Sequence, residues 1–355
     1  MSDPMTRFLT NDPLTRKKWA RELFSVILPS IEFNSIVGAD SNSIVQMKKD
    51  LAKGEGDEIT FGIRLPLVGE GIVGDATVES NEEKLRFRNF KCRIEELNHA
   101  VDTGGKMEEQ RVPYNLMQEG KDALQEWWAS KLSDYIINLL FGNSAYKIAG
   151  VDFAQAIDEP STYRHIIADG VANEASLTSA NTISLGFLDK LKQRAEIPVA
   201  ANQYKIRPIM IGGKAHYRVL MHPYTFEELR QNTNIGEWGD LLRTAQKLQL
   251  PETEIVYNGL IISKTERAPL IVDAGTSDGA GVRRVVLCGS QAAVWAWGGA
   301  GDSKSTTMAF VPYTSDAERY VMIRGGGIWG ARKVKFESHD FGIMTGSVWS
   351  SPVSA

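Results

Sequence analysis

The feature that most constrains this chain is a long alternating hairpin, followed almost directly by a long amphipathic helix. In the first limb of the hairpin every second residue is apolar, which is the pattern of a half-buried strand. These positions are Ile59, Phe61, Ile63, Leu65 and Leu67. A Gly-rich stretch, 68–84, separates this limb from a returning one. An isolated two-stranded hairpin is only marginally stable in water, so we expect another copy of the chain to cover it.

The returning limb changes phase partway along. Leu85 and Phe87 alternate with polar residues, and the alternation then shifts by one position to Phe90 and Cys92. One extra residue in the strand would cause such a shift. The sequence therefore predicts a β-bulge near Asn89.

The helix that follows is predicted over 113–141, where apolar residues recur at spacings of three and four. At 1.5 Å per residue this span is roughly 43 Å long. Gly142 is the predicted C-terminal stop. The side chains predicted to pack into the core are Leu124, Trp127, Trp128, Leu132, Tyr135, Ile136 and Leu139.

A shorter amphipathic helix is predicted near the N-terminus. Asp12 and Pro13 are typical of a helix start, and Pro29 ends the pattern. The apolar stripe of this segment has nothing local to cover it, so it docks either on the body of its own chain or on a neighbour. The docking residues are Trp19, Leu23, Phe24 and Ile27.

Further elements are predicted downstream. A helix is expected at 184–194 and a hairpin that turns at 212–214, followed by helices at 224–231 and 237–247. Short strands alternate with Gly-rich turns in the rest of the chain. They are expected at 254–263, 283–288, 309–311, 320–323 and 333–337.

Composition indicates a globular protein with a small net charge. Hydrophobic residues make up 43% of the chain, charged residues 24%, and the net charge is -4, so no global positive charge attracts nucleic acid. The only two cysteines, Cys92 and Cys288, form neither a disulfide framework nor a zinc signature. No stretch approaches the roughly 20 apolar residues of a membrane span, so no membrane contact is expected.

Charges on the hairpin carry both signs. Arginines and lysines lie along its limbs at Arg64, Arg86, Arg88, Lys91 and Arg93, and glutamates bracket them at Glu58, Glu82, Glu83, Glu95 and Glu96. This interleaving favours charge pairing between neighbouring subunits, with nucleic-acid contact as the alternative.

Motifs of chemistry are few. The run 69–74 fits the G-x-G-x-x-G pattern, but no helix pattern follows it to receive a pyrophosphate, so a flexible tip is the better interpretation. His216 and His222 share a face if their strand is regular, which leaves a zinc or catalytic role as an alternative. We predict no catalytic, cofactor-binding or metal-binding residue, and no enzymatic activity.

Collinear sequence blocks resemble the major capsid proteins of tailed bacteriophages with the Hong Kong 97 fold, in particular a podovirus-type subfamily. The blocks before the long helix are 17–24, 57–62, 81–83, 99–101 and 105–111. Those after it are 207–208, 220–223, 229–230, 289–292 and 340–342. Their shared order along residues 15 to 345 carries the resemblance.

The resemblance implies an α+β fold with five segments. They are an N-terminal arm (1–50), an extended β-hairpin or E-loop (51–105), a peripheral domain with the spine helix (106–205), an axial domain (206–320) and a C-terminal return to the peripheral domain (321–355). It also implies a subunit that assembles as pentamers and hexamers into the icosahedral head enclosing phage double-stranded DNA. An encapsulin-like bacterial nanocompartment shell is the alternative.

The resemblance further implies which residues and partners act in assembly. The E-loop residues expected over a neighbouring subunit are Ile59, Phe61, Ile63, Arg64, Gly69, Gly71, Gly74, Glu82, Glu83, Lys84, Arg86 and Arg88. Some relatives crosslink through an E-loop lysine, and Lys84 is the lysine near this tip. The expected partners are a portal, a separate scaffolding protein, a candidate decoration protein and DNA enclosed without sequence specificity. The expected location is the virion capsid, assembled in the cytoplasm of the bacterial host.

Overall fold

The computed structural model describes most of the chain, in separate ranges. They are 36–49, 56–64, 71–74, 79, 82–85, 87–105, 110–111, 116–197, 205–231, 254–275, 279–299, 308–316, 319–336 and 338–352. The predicted N-terminal helix and the predicted helix at 237–247 lie outside these residues, as do the docking residues Trp19, Leu23, Phe24 and Ile27.

The described chain combines helices with many strands, as expected for an α+β protein. The helices are α1 (Leu116–Phe141), α2 (Leu185–Glu196) and α3 (Pro223–Gln231). None of the described helices is long and apolar enough to cross a membrane. The strands are β1 (Val37–Gly38), β2 (Val45–Lys48), β3 (Glu58–Arg64), β4 (Phe87–Arg93), β5 (Glu95–Gly105), β6 (His165–Ile167), β7 (Ile209–Ile211), β8 (Lys214–Met221), β9 (Glu254–Tyr257), β10 (Leu260–Lys264), β11 (Leu270–Asp273), β12 (Gly281–Cys288), β13 (Ala293–Trp297), β14 (Met308–Ser315), β15 (Tyr320–Lys333), β16 (Lys335–Phe336), β17 (His339–Asp340) and β18 (Ile343–Ser350).

Two large sheets organise these strands. A six-stranded sheet has the order β1-β2-β13-β15-β14, with β5 also paired to the long strand β15. An eight-stranded sheet has the order β6-β18-β12-β8-β10-β9, with β7 beside β8 and β11 beside β12. Strands β3 and β4 form a separate hairpin, and β16 and β17 a short one.

The sheets combine strands from distant parts of the sequence. The six-stranded sheet joins β1 and β2 to β5, β13, β14 and β15, so it draws on four of the five segments expected from the resemblance. The eight-stranded sheet draws mainly on 206–320, but β6 and β18 come from outside that range. The expected segments therefore do not fold as separate sheets.

Three apolar cores hold these layers together. The largest lies between α1 and both sheets, and includes Trp128, Trp295 and Val286. The second packs α2 and α3 against the eight-stranded sheet. The third is small and lies beneath the β3–β4 hairpin, where Phe90 and Cys92 meet the six-stranded sheet.

Helix α1 confirms the predicted long helix and its end, while its predicted start at Pro113 lies outside the described residues. It has 26 residues, and Gly142 follows it with a φ of +65°. The Gly142 N–H donates to Leu139 O (3.1 Å), and the Asn143 N–H donates to Asn138 O (3.0 Å). These are the two hydrogen bonds of a Schellman motif. Along the helix, the described chain buries Leu124, Trp128, Leu132, Tyr135, Ile136 and Leu139.

Trp127 departs from this pattern. It is only partly buried, and its ring stacks on His99 of β5 with 4.2 Å between centroids. It lies one position beside Trp128, so both indoles cannot face the core from the same helix turn. Trp127 therefore packs at the edge of the core rather than within it.

Glycines in β15 make room for α1. A Cβ placed on Gly325 would lie 2.5 Å from Phe310 Cε1 and 2.9 Å from Trp128 Nε1. Another placed on Gly330 would lie 2.0 Å from the carbonyl oxygen of Arg93, where the hairpin enters the sheet. Glycine inside a strand marks such close approaches.

The predicted β-bulge near Asn89 is wrong. Strands β3 and β4 pair one to one from Glu58 opposite Arg93 to Arg64 opposite Phe87, and Asn89 lies opposite Gly62. The change of phase has a different cause, because the apolar residues on the two sides of Asn89 belong to opposite faces of a regular strand.

Other predicted elements are confirmed. Strands β7 and β8 pair across Gly212 and Gly213, whose positive φ angles (+58° and +77°) suit a two-residue hairpin turn. Helix α2 begins after Ser184, whose side chain accepts the Phe187 N–H. Helix α3 and the strands near 254–263, 283–288 and 309–311 also form. The pattern did not predict β5, which pairs with β15 along most of its length.

A buried arginine connects the end of α1 to the eight-stranded sheet. Arg284 of β12 donates to the carbonyl oxygens of Phe141 (3.1 Å) and Gly142 (2.7 Å), the last acceptors of the helix. Its other nitrogens donate to both oxygens of Glu174 at 2.8 and 2.7 Å. Glu174 also accepts from Ser347 Oγ at 2.5 Å and lies 3.3 Å from His165 Nε2.

The pKa of Glu174 is shifted by this surrounding. Burial alone would raise it, but hydrogen bonds from His165, Arg284 and Ser347 hold the pKa well below its ordinary value of 4.5. A depressed carboxyl pKa stabilises the fold above the unfolded pKa, and this stabilisation is lost as pH falls below it.

We expect Glu174→Ala to lower the free energy of unfolding at pH 7 by about 3–5 kcal/mol, because it leaves Arg284 buried without its partner. Urea unfolding of the unassembled chain measures this loss. The variant should also lose part of the decline in stability that the parent shows below about pH 4.5. The control is Glu196→Ala, which removes an exposed carboxylate 3.9 Å from Lys192 and should cost under about 1 kcal/mol. Equal effects of the two variants would contradict the role given to Glu174.

We expect Gly325→Ala to destabilise the chain by about 1–3 kcal/mol, because the added methyl overlaps Phe310 and Trp128. Gly62→Ala is the matched control, since it also lies in a strand but its Cβ would have nothing within 4 Å. Thermal unfolding should show a lower midpoint for the first variant only. A midpoint unchanged by Gly325→Ala would mean that the helix does not press on β15 as described.

Candidate functional site: the β-arm

The β-arm is defined here as β3, β4 and the described tip residues 71–74, 79 and 82–85. Its base is fastened to the body of the same chain. The rings of Phe61 and Phe90 lie 6.3 Å apart, and Phe90 contacts Phe336 at 6.2 Å. The Ile94 N–H donates to Asp57 O at 2.9 Å, which closes the base of the hairpin.

In the distal part of the arm Phe87 lies on the opposite face of β4 from Phe90, and the apolar residues of the tip beyond it are exposed. Phe87 is 59% exposed, Leu85 is 55% exposed and Val73 is 91% exposed. Neither Gly71 nor Gly74 has a neighbour within 4 Å of a built Cβ, so the tip stands clear of the described chain. A regular strand with apolar residues on one face at its base and on the opposite face further out can contact two different bodies.

The residues predicted for the arm fall into groups. Ile59 and Phe61 are partly buried and pack toward the third core of their own chain, not away from it. Ile63 and Arg64 belong to β3. Glu82, Glu83, Lys84 and Arg88 are exposed. Gly69 and Arg86 lie outside the described residues.

The sequence prediction did not single out Leu85, Phe87 or Val73, although all three are exposed on the arm. The signal was present, because the phase change in the returning limb places Leu85 and Phe87 opposite to Phe90. It was interpreted as an irregular strand rather than as a strand with two apolar faces.

Several charges expected to pair between subunits pair within the chain. Glu58 accepts from Lys91 (2.6 Å) and lies 3.4 Å from Arg93 on the neighbouring strand. The hydrogen bond from Lys91 lowers the pKa of Glu58 more than any other contact. Glu96 likewise pairs with Arg324 of β15 at 2.9 Å. The first group joins the two strands of the arm, and the second pair joins β5 to β15.

The G-x-G-x-x-G run does not open a helix among the residues that the structure describes. Gly71 and Gly74 have positive φ angles and belong to a turn, and the described residues 82–85 continue toward strand β4. A dinucleotide site of this kind needs a helix N-terminus directed at the pyrophosphate. The tip of the arm offers none in its described part.

Ser347, His165 and Glu174 together have the residue types of a hydrolytic triad but not its geometry. His165 Nε2 lies 2.7 Å from Ser347 Oγ, and Glu174 contacts the same ring nitrogen and the serine itself. In a triad the carboxylate holds Nδ1, so that Nε2 is free to take the serine proton. Ser347 is fully buried, and Glu174 is held by Arg284. The group is a structural network.

His216 and His222 do not form a metal site in the described part of the chain, which contains no group of three or more His, Cys, Asp or Glu able to hold an ion. His222 Nδ1 accepts the Tyr224 N–H at 3.1 Å in the first turn of α3. Burial and the nearby Arg283 lower the pKa of His222 to about 4, so it is neutral at pH 7. It is placed to support the start of the helix.

Comparison with solved structures identifies the fold. The capsid of Ralstonia phage GP4 matches with a TM-score of 0.76 at 21% identity, over 90% of this chain and 91% of that one. The cyanophage Pam1 capsid matches with a TM-score of 0.69 at 19% identity, over 90% and 92%. The fold is that of phage capsid proteins of the Hong Kong 97 type.

Sequence comparison gives the family. The major capsid protein of Pseudomonas phage KPP25 is 28% identical over 242 residues, and the match spans 62% of each of the two chains. A family model described as phage capsid protein matches residues 7–348, which is nearly the whole length. With its sheets, its long helix and its projecting arm, this chain belongs to the phage capsid protein family.

Proposed function

We propose that this chain is the major capsid protein of a phage, and that it assembles as pentamers and hexamers into an icosahedral head that encloses double-stranded DNA. Family membership supports a role as a shell subunit. The proposal also gives the β-arm its task, which is to lie over the neighbouring subunit.

One observation carries this proposal, namely the reversal of the apolar face along the arm. The apolar residues at the base of the arm are covered by the sheet of the same chain, but Phe87, Leu85 and Val73 are exposed beyond it. Burying one large apolar side chain fully contributes about 1.5–3 kcal/mol. Such a contact is modest singly, and it is repeated at every subunit of a closed shell.

We expect the double variant Leu85→Ser with Phe87→Ser to fold but not to assemble, because it removes the apolar contact at the end of the arm. Its far-UV circular dichroism and its unfolding midpoint should match those of the parent chain. Light scattering and electron microscopy, after expression with the scaffolding protein, measure assembly.

The control for this variant changes two other exposed apolar residues, Val151 and Ile197, to serine. It also replaces two exposed apolar side chains but leaves the arm intact, so shells should form. If the arm variant forms normal shells, the apolar end of the arm makes no contact that assembly requires.

The remaining roles follow from the same proposal. The segment 206–320 would be the axial domain at the capsomer centre, and 106–205 with α1 the peripheral domain. Portal, scaffolding and decoration proteins are the expected partners of the shell, whose assembly is expected in the host cytoplasm. We further propose that the subunit has no catalytic step of its own, a view supported by its family and by the geometry around Ser347.

The alternative is an encapsulin-like compartment, which uses a related shell to hold a protein cargo. The phage capsid family match favours the phage head. Particles purified from their natural source should contain DNA that resists nuclease until the shell is opened. Particles filled with one cargo enzyme and no DNA would reverse the choice.

A further inference from the structure

An aromatic cleft lies beneath the β-arm, on the face of the six-stranded sheet away from α1. Its volume is about 260 Å³. Phe61 and Phe90 of the arm line it, together with Phe336 and Phe341. Gln46 and Lys48 of strand β2 line it as well.

We propose that this cleft is the docking site for the apolar stripe of residues 19–27 of the same chain. The stripe consists of Trp19, Leu23, Phe24 and Ile27, and it has nothing within its own segment to cover it. A cleft lined by phenylalanine rings is complementary to a stripe that carries an indole and a phenyl ring.

The position at which the N-terminal part of the chain joins the sheet makes this docking feasible. Strand β1 runs beside β2, and Gly38 lies opposite Gln46 in their ladder. The Gln46 side chain also donates to Ala39 O at 3.4 Å. Neighbouring strands are about 4.8 Å apart, so the chain enters the described structure one strand away from the cleft.

The length of the connection also fits. Eight residues, 28–35, join the stripe to Ile36, and they span at most about 30 Å when extended. Contact within one chain therefore needs no neighbour.

Disulfide trapping in the unassembled chain tests the proposal. Leu23→Cys combined with Gln46→Cys should form a disulfide within the chain when diamide accepts the two thiol hydrogens. The native thiols should not compete, because burial raises the pKa of Cys92 and of Cys288 to about 12. Peptide mapping identifies the linked pair.

The matched control is Ser25→Cys with Gln46→Cys, since successive helical residues turn by about 100°, which places Ser25 opposite the middle of the predicted stripe. We expect at least about tenfold slower linking there. Linking at equal rates, or in neither variant, overturns the proposal. A different result would be a disulfide between two chains when the Leu23→Cys and Gln46→Cys single variants are mixed, with no linking inside the double variant. It would mean that the cleft binds the segment of a neighbouring chain, and it would also overturn the proposal.

A cleft-filling variant adds a second readout. Gln46→Phe should displace the segment, so trypsin should cut faster at Lys17 and Lys18. Unchanged cleavage, together with no disulfide in the double variant, overturns the proposal. Neither measurement requires a shell, so a failure here is distinct from a failure of the proposed capsid function.

Discussion

The guanidinium of Arg284 is the interaction on which the arrangement of helix and sheets most depends. A cation buried this deeply is tolerated only when its donors are satisfied and its charge is balanced. Here the last carbonyls of α1 and the carboxylate of Glu174 satisfy both needs. The long helix, the eight-stranded sheet and the loop that carries Glu174 must therefore all be correctly placed around Arg284. The favourable placement of a positive charge at a helix C-terminus adds to this bond.

The contact of α1 with the six-stranded sheet depends on close packing rather than on charge. Strand β15 contacts β5, β13, β14 and α1. These contacts fit because Gly325 leaves room for Trp128 and Gly330 leaves room for the carbonyl of Arg93. The arm leaves the body at this crowded place. Its base is consequently packed closely against the sheet, while Phe87 and Leu85 further out are exposed.

Much of the fold could be predicted from local patterns. The limbs of the arm followed from alternation, because one face of each limb is buried at its base. Helix α1 followed from spacings of three and four, although its last residues, 135–141, are buried on every side. The turn at Gly212 and Gly213 followed from the residues that tolerate positive φ. Strand β5 was missed because its side chains are mostly exposed or partly buried, which leaves little alternation of apolar residues to read.

The β-arm and two features of the core were harder to predict, each for a physical reason. A phase change in a strand arises from an extra residue or from a change of the buried face, and only the pairing of Asn89 with Gly62 distinguishes them. Arg284 and its partners are separated by more than 100 positions along the chain, so no local pattern connects them. Trp127 and Trp128 are adjacent, and periodicity alone could not say which of them the core accepts.

The capping of α1 by Arg284 also has a consequence for the order of folding. The helix obtains the partner of its last carbonyls from a residue 143 positions further along the chain. Closing so long a loop costs entropy before the contact can compensate for it, and folds dominated by such distant pairings reach their native state slowly. The helix end and the eight-stranded sheet should therefore mature together, late in folding. A subunit released early would carry an unfinished helix terminus, so the proposed docking of its arm on a neighbour would follow a step inside its own core.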